Sequence, residues 1–542
     1  MLILFASFVC GDDGGRAVAR DYAKQWSEQN FQGMYNLLSD ESKKRVSLDQ
    51  FSQAQAQALA TATVRRLIAH EPKEFKDGKV TVPFTVETRA FGTLKLDAQI
   101  PLTDDATDAK VNWNDSLNLP GLLPGEQVSR QTSMPPRASI LASNGVALAE
   151  GPDRTSTIPD VAKEIAGTVG TPDGGIGLSM QAYGYPPDAK VGISGLEKIF
   201  QQQLAGTPGG TLLAGSRHLA DTQPHRGRNV NSTIVPSIEM AAATALAGRE
   251  GGAAVVDPKT GAVLAAAGSA FSATGPPGST FKIITAAAAL ESHAATLKSK
   301  YPFETQALLD GRPVQNANGE TCGGTLVQSF ANSCNSVFAP LGVKVGSSRL
   351  VEMAEKLGFN KPVPGIPNAA LSTIPPSDQI QGEDATGTTA IGQGQVMATT
   401  LAMTMTAATV ANKGVFVQPT LQKGVHSKSS RAMSVSTAAG LKKMMLAVVR
   451  FGTGTSAAIT GASVAGKTGT AEIRDTVATD PNDPNAPTAN DPANTDAWFV
   501  AFAPAWAPRY AVGVFLVGQG HGGDTAAPAA RDIFVEAFKT KR

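Results

Sequence analysis

Cysteine is scarce. The 542 residues include three, Cys10, Cys322 and Cys334, too few for a fold built on disulfides. Their spacing carries no metal-ligand signature, and the six histidines form no ligand pattern either. No metal site is expected from these residues. Net charge is close to nil: 47 Lys and Arg against 46 Asp and Glu leave +1, so a broad basic surface for nucleic acid has no support. Internal repeats and long low-complexity tracts are missing. No stretch reads as a membrane-spanning helix, which needs roughly 20 apolar residues. What remains is a chain 42% hydrophobic and 17% charged, the balance of a globular protein with a sizeable core. Its length suits about two to four domains.

One short pattern stands out against that background. Ser279-Thr280-Phe281-Lys282 is the only Ser-x-x-Lys in the chain. It follows Gly275-Pro276-Pro277-Gly278 and opens an Ala-rich run, Ile283 to Leu290, so it reads as a loop delivering Ser279 to a helix start. Positions three apart on a helix share a face, which puts Lys282 beside Ser279, near enough to take its proton. A serine hydroxyl is a poor nucleophile at neutral pH unless a base is held against it. Two later patterns complete a set: Ser333-Cys334-Asn335, then Lys467-Thr468-Gly469-Thr470. Ser-x-x-Lys, Ser-x-Asn and Lys-Thr-Gly, in that order, are the motifs of penicillin-recognising serine acyl enzymes.

Two look-alikes fall in the wrong order, before Ser279. Lys259-Thr260-Gly261 sits in Asp257–Gly261, a tight-turn composition between two short apolar runs, and reads as a hairpin turn. Ser116-Leu117-Asn118 lies in a Pro/Gly-punctuated stretch and reads as a loop. The third motif has a better setting. Ser463-Val464-Ala465 leads into it, and the apolar runs Asp496–Pro504 and Tyr510–Val517 follow, so it reads as an antiparallel edge strand with neighbours packed behind it. Glycine at 469 lets a substrate approach the backbone closely.

The chain thus resembles the class B penicillin-binding proteins, and the resemblance runs from about residue 137 to the C-terminus. Pro277–Lys282, Ser333–Asn335 and Lys467–Glu472 with Ala497-Trp498-Phe499 match the three family motifs, and Ile391–Gln395 through Gly414 the helix between the second and third. Arg137–Ala149, Gly195-Leu196-Glu197 and Leu204-Ala205-Gly206 match the pedestal of class B members. The resemblance implies a multidomain α+β protein. Residues 1–15 are a signal or anchor remnant, 16–120 a cone-shaped α+β extension similar to that of methicillin-resistance-type members, and 121–235 the elongated pedestal. Residues 236–542 form the transpeptidase domain, a five-stranded antiparallel sheet flanked by helices with a helical subdomain alongside.

The same resemblance assigns roles. Ser279 attacks the penultimate D-alanine of a peptidoglycan stem, and Lys282 is its base. Ser333 relays a proton to the leaving D-alanine, and Asn335 holds the acyl-side amide. Lys467 and Thr468 bind the terminal carboxylate of the donor or of a β-lactam. Backbone N–H groups of Ser279 and Thr470 form the oxyanion hole. An ordinary lysine has a pKa near 10.4, so Lys282 needs desolvation or a neighbouring cation, for which Lys467 is the candidate. Expected partners are stem peptides, β-lactams, the membrane through an N-terminal anchor, and a glycosyltransferase or a division or elongation complex. The expected location is the extracytoplasmic face of the bacterial cell membrane.

Met1–Val9 followed by Cys10 and Gly11–Gly15 looks like the end of a lipoprotein signal, with Cys10 lipidated, or like a truncated membrane anchor. Val9 stands where a lipoprotein signal prefers a small residue, and the terminus lacks a basic start. Cys322 and Cys334 are either free thiols or a pair, and a bridge would close a loop worth up to ~3 kcal/mol. Rival activities share the motifs. A serine β-lactamase gains nothing from a pedestal, an argument that weighs less against a D,D-carboxypeptidase. A β-lactam sensor needs spanning helices, and a silent scaffold conflicts with motifs whose polar positions are all intact. Two departures are local: Gly268 to Pro276 is short, trimming a wall of the groove, and the polar loop Asp480–Thr495 is expected to cover the third motif.

Overall fold

Ala19, Tyr22, Ala23 and Trp26 recur at helical spacing, and they form the buried stripe of α1 (Asp12–Ser27). The computed structural model describes residues 12–540 except 104–107, 173, 368 and 473–491. Cys10 and the loop from Asp480 as far as residue 491 lie outside the described residues. The chain up to Ser139, with Glu150–Arg154 and Thr168–Val230, makes one compact unit. Within it α2 (Leu48–Thr61) opens on a reciprocal Ser47–Gln50 capping box. Strands β1 (Val64–Ala69), β2 (Lys79–Thr88) and β3 (Thr93–Pro101) pair antiparallel with β2 in the middle. Val80, Val82, Phe84 and Val86 alternate along β2 and point into the core, where Trp26 meets Phe84 edge-on at 5.3 Å. A second sheet joins β4 (Val128–Ser133), β5 (Gly209–Ala214) and β6 (Arg217–Thr222), with β5 central. The loop expected at Ser116–Asn118 is a short 3₁₀ turn in this unit.

Ile140–Ala149, Thr155–Gly167 and everything from Asn231 onward make the second unit. From Asn231 onward it holds first α3 (Pro236–Leu246) and the hairpin β7 (Gly251–Val256)–β8 (Val263–Gly268). Asp257 closes that hairpin by accepting from the Lys259 N–H at 2.9 Å, so the early Lys-Thr-Gly is a turn. Then come α4 (Lys282–Glu291), β9 (Lys300–Glu304), β10 (Cys322–Thr325), α5 (Leu326–Ala331) and α6 (Asn335–Val345). α7 (Thr400–Ala411), α8 (Val435–Phe451), β11 (Ala465–Glu472), β12 (Thr495–Ala503), β13 (Tyr510–Leu516) and α9 (Ala526–Lys539) complete it.

The five-stranded antiparallel sheet expected here runs β8-β7-β13-β12-β11. Every residue of β12 is buried. Phe499, Ala501 and Ala503 pack with Ile238 of α3 and Phe534 of α9, while Trp498, Val500 and Phe502 pack with Met403 of α7 and Met444 of α8. Two covered faces explain why this strand reads as a continuous apolar run and not an alternating one. They also leave β11, which carries the third motif, as the edge.

One buried acid in this unit has no part in the site. Glu239 of α3 accepts from the Ala266 N–H at 2.8 Å through one oxygen, while its other oxygen is buried without a partner. Burial, with a smaller push from Glu164, raises its pKa to about 7. Its folded pKa lies above the unfolded one, so its contribution is fully present below about 4.5 and is lost as pH rises towards 7. Glu239→Gln should therefore stabilise the fold at pH 8 by on the order of 3 kcal/mol, read as a higher thermal midpoint, and leave the midpoint unmoved at pH 4.5. An equal change at both pH values would refute this.

Candidate active site

Ser279 sits in a 3₁₀ turn, Gly278–Phe281, that runs straight into α4. Gly278 has φ of +50°, and a Cβ there would lie 2.7 Å from the Thr470 carbonyl oxygen; only glycine fits. Its N–H donates to the Gly392 carbonyl at 2.9 Å, which is how the segment before α7 supports the nucleophile. Gly469 has a different job from the one its sequence suggested. A Cβ there would sit 2.8 Å from the Pro277 carbonyl oxygen and 2.9 Å from Thr280 Cγ2, so its bareness lets the nucleophile turn press against β11. Ser279 itself is half-buried, and its hydroxyl makes no hydrogen bond among the described residues.

Lys282 turns to the second motif. Its Nζ donates to the Ser333 carbonyl and to Asn335 Oδ1, each at 2.6 Å, and lies 3.3 Å from Ser333 Oγ. Lys467 reaches the same hydroxyl from β11: its Nζ is 2.8 Å from Ser333 Oγ and 3.1 Å from the Thr468 carbonyl. Both lysines are completely buried, and neither has a carboxylate partner among the described residues. Phe330 and Phe338 close the space around them, with ring centres 5.6 Å from Lys467 Nζ and 5.7 Å from Lys282 Nζ. Burial pushes Lys467 down to about 7. Burial, and then the neighbouring Lys467, push Lys282 well below the ordinary lysine range.

The proton count on Lys282 is informative. A neutral amine has two hydrogens and one lone pair. Both carbonyl-type acceptors at 2.6 Å can only receive, so they take the two hydrogens. The lone pair is left for a hydroxyl proton. This is the state a general base needs.

Ser333 pays for its place with φ of +61°, a conformation a non-glycine residue adopts only when its surroundings hold it there. What holds it was mostly invisible in the sequence. Cys322 and Cys334 are joined in a disulfide, tying the middle of the motif to β10. The Gln315 carbonyl accepts from Asn335 Nδ2 at 2.8 Å. Asn316, 5% exposed, accepts from the Ser336 N–H at 2.9 Å and donates its two amide hydrogens to the Glu304 and Glu320 carbonyls, with Ser336 Oγ also within 3.1 Å of its nitrogen. In the sequence, Asn316 is one polar residue among several beside a turn, and a main-chain carbonyl leaves no mark there at all. Asn316→Ala should cut the rate of acylation by benzylpenicillin by on the order of 10²-fold, as displaced catalytic groups do, and lower the thermal midpoint as well, because its buried partners lose their bonds. Unchanged acylation would mean that the motif holds itself.

The transpeptidase domain model of penicillin-binding proteins matches residues 251–535. The chain belongs to the penicillin-binding protein transpeptidase family. An NTF2-like N-terminal transpeptidase domain matches residues 15–126. The chain is 32% identical over 413 residues to the peptidoglycan D,D-transpeptidase PbpA of Mycolicibacterium smegmatis, covering 64% of this chain and 80% of that one. It is similar to the crystal structure of PBPA from Mycobacterium tuberculosis, with 28% identity, a TM-score of 0.58, and coverage of 74% and 99%. The penicillin G acyl-enzyme complex of that protein matches at 28% identity and a TM-score of 0.57, covering 74% and 99%. The penicillin-binding transpeptidase fold is therefore that of this chain's C-terminal half. Among the described residues no helix is long and apolar enough to cross a membrane.

Proposed function

We propose that the chain is a peptidoglycan D,D-transpeptidase working through a Ser279 acyl-enzyme, and that β-lactams acylate the same serine. The observation that carries the assignment of roles is the convergence of two buried lysines on the Ser333 hydroxyl, beside the turn that bears Ser279.

Ser279 Oγ attacks the carbonyl carbon of the penultimate D-alanine, and its proton passes to the lone pair of Lys282. The oxyanion is met by the N–H groups of Ser279 and of Thr470 on the edge strand; losing one such donor typically costs about 10²–10³ in rate. Ser333, between the two lysines, returns a proton to the nitrogen of the leaving D-alanine as the C–N bond breaks. Asn335 keeps one amide hydrogen on Gln315 and has a second for the acyl-side amide of the stem. Lys467 and Thr468 receive the terminal carboxylate, and Gly469 keeps the strand close to the nucleophile. The amine of a second stem then attacks the ester, forming the cross-link and restoring Ser279 to its hydroxyl form.

The residues ahead of α1, with Cys10 as the lipid attachment point or as part of a truncated apolar anchor, would hold the enzyme on the extracytoplasmic face of the membrane. A glycan-polymerising partner or a division or elongation complex would supply the strands to be joined. The deciding experiment uses uncross-linked glycan strands with pentapeptide stems. Release of D-alanine together with dimeric muropeptides is expected. D-alanine without dimers would make it a carboxypeptidase, and rapid consumption of penicillin would make it a β-lactamase.

A further inference from the structure

Thr453 belongs to none of the three motifs. It follows α8 in Gly452-Thr453-Gly454, and its backbone N–H donates to the carbonyl of Ala331, the last residue of α5, at 3.1 Å. Its hydroxyl oxygen lies 2.5 Å from that of Thr468 and 3.4 Å from the Ala331 carbonyl. Thr468 is 5% exposed, and Thr453 is the one hydrogen-bond partner of its hydroxyl among the described residues. Thr453 is exposed, so the pair sits at a surface a ligand can reach.

A hydroxyl has a single hydrogen. If Thr468 gave its hydrogen to Thr453, it would have none for an anion. If Thr453 donates, the hydrogen of Thr468 is free to turn outward. The short contact is made in either arrangement, and an arriving carboxylate selects the second, since it accepts only and a charge-assisted bond is the stronger kind. Two hydroxyls in series, ending on an anion, also polarise one another.

We propose that Thr453 is a positioning residue for carboxylate recognition, donating to Thr468 Oγ1 so that the Thr468 hydrogen faces the terminal carboxylate of a stem peptide or β-lactam. This rests on reading Lys467 and Thr468 as the carboxylate subsite. The Ala331 tie fixes Thr453 between the end of the helix before Ser333 and the strand carrying Thr468, so one residue sets the spacing of both motifs.

The test is the second-order rate of acylation by benzylpenicillin and by its methyl ester, which lacks the anion. Thr453→Val keeps the shape and removes the hydrogen. It should slow the acid about tenfold, the scale of one hydrogen bond in a charged network, and leave the ester unchanged. Thr453→Ser should restore the acid rate. Equal losses for acid and ester would mean a packing defect, and no loss for either would mean an idle hydroxyl; both overturn the proposal. Thr468→Val is run alongside. If it keeps the wild-type preference for acid over ester, the carboxylate subsite itself is misassigned, a failure distinct from that of Thr453.

Discussion

Replacing Ser279 with alanine is expected to abolish covalent labelling by benzylpenicillin while leaving the unfolding transition where it is. The two halves of that expectation have separate reasons. Ser279 is half-buried and its hydroxyl bonds to nothing among the described residues, so its removal orphans no buried partner, the usual source of a large loss. Its turn is set instead by Gly278, by the Gly392 carbonyl and by the press of Pro277 and Thr280 on Gly469. Chemically there is no substitute. Ser333 is held by Lys467 at 2.8 Å and locked by the disulfide next to it, which fits a proton relay and not an attacking group. Labelling that survives in the variant, read by intact mass, would sink the assignment.

Lys282→Ala is expected to slow acylation by several orders of magnitude, at or beyond the upper end of the roughly 10²–10⁴-fold that general-base catalysis supplies. The variant loses both the base and the group that organises the second motif, because Lys282 links the Ser333 carbonyl to Asn335 Oδ1. Lys282→Arg should be no better. A guanidinium stays protonated at any working pH, so it has no lone pair to offer, and it is too large for a site with no exposed surface. Stopped-flow acylation of both variants is the measurement. A near-normal rate in either would remove Lys282 from the role of base.

The motifs were legible because acyl transfer dictates residue types at short spacing. Ser279 and Lys282 announce themselves three positions apart, and the order of the three motifs separates Lys467-Thr468-Gly469 from its look-alike at Lys259. The sheet was legible in outline, since β12 from Ala497 onward and β13 are apolar. The reasons behind individual residues were less so. Gly469 looked like an opening for substrate, yet what its missing side chain admits is Thr280 and the Pro277 carbonyl. Whether Cys322 and Cys334 pair depends on β10 lying beside the start of α6, a tertiary fact. Asn316 and Thr453 act through hydrogen bonds to groups 20 and 15 residues away, and no local pattern encodes such reach. The depression of both lysine pKa values comes first from burial, and for Lys282 also from Lys467; Phe330 and Phe338, which close the space around them, stand outside the polar positions of the motifs.

The central claim is that a desolvated, neutral Lys282 does the deprotonation at physiological pH. The most direct test is the second-order rate constant for acylation of the wild-type enzyme by benzylpenicillin from pH 5 to pH 10. A lysine pushed well below its ordinary range gives up its proton at lower pH than an ordinary lysine does, so the rate should rise on the acid side and level off well short of about pH 10. Lys467, with a pKa of about 7, loses its charge over the same range, and the carboxylate loses attraction, which flattens or lowers the alkaline side. A rate that climbs about tenfold per pH unit all the way towards 10, as an unperturbed lysine requires, would contradict the account.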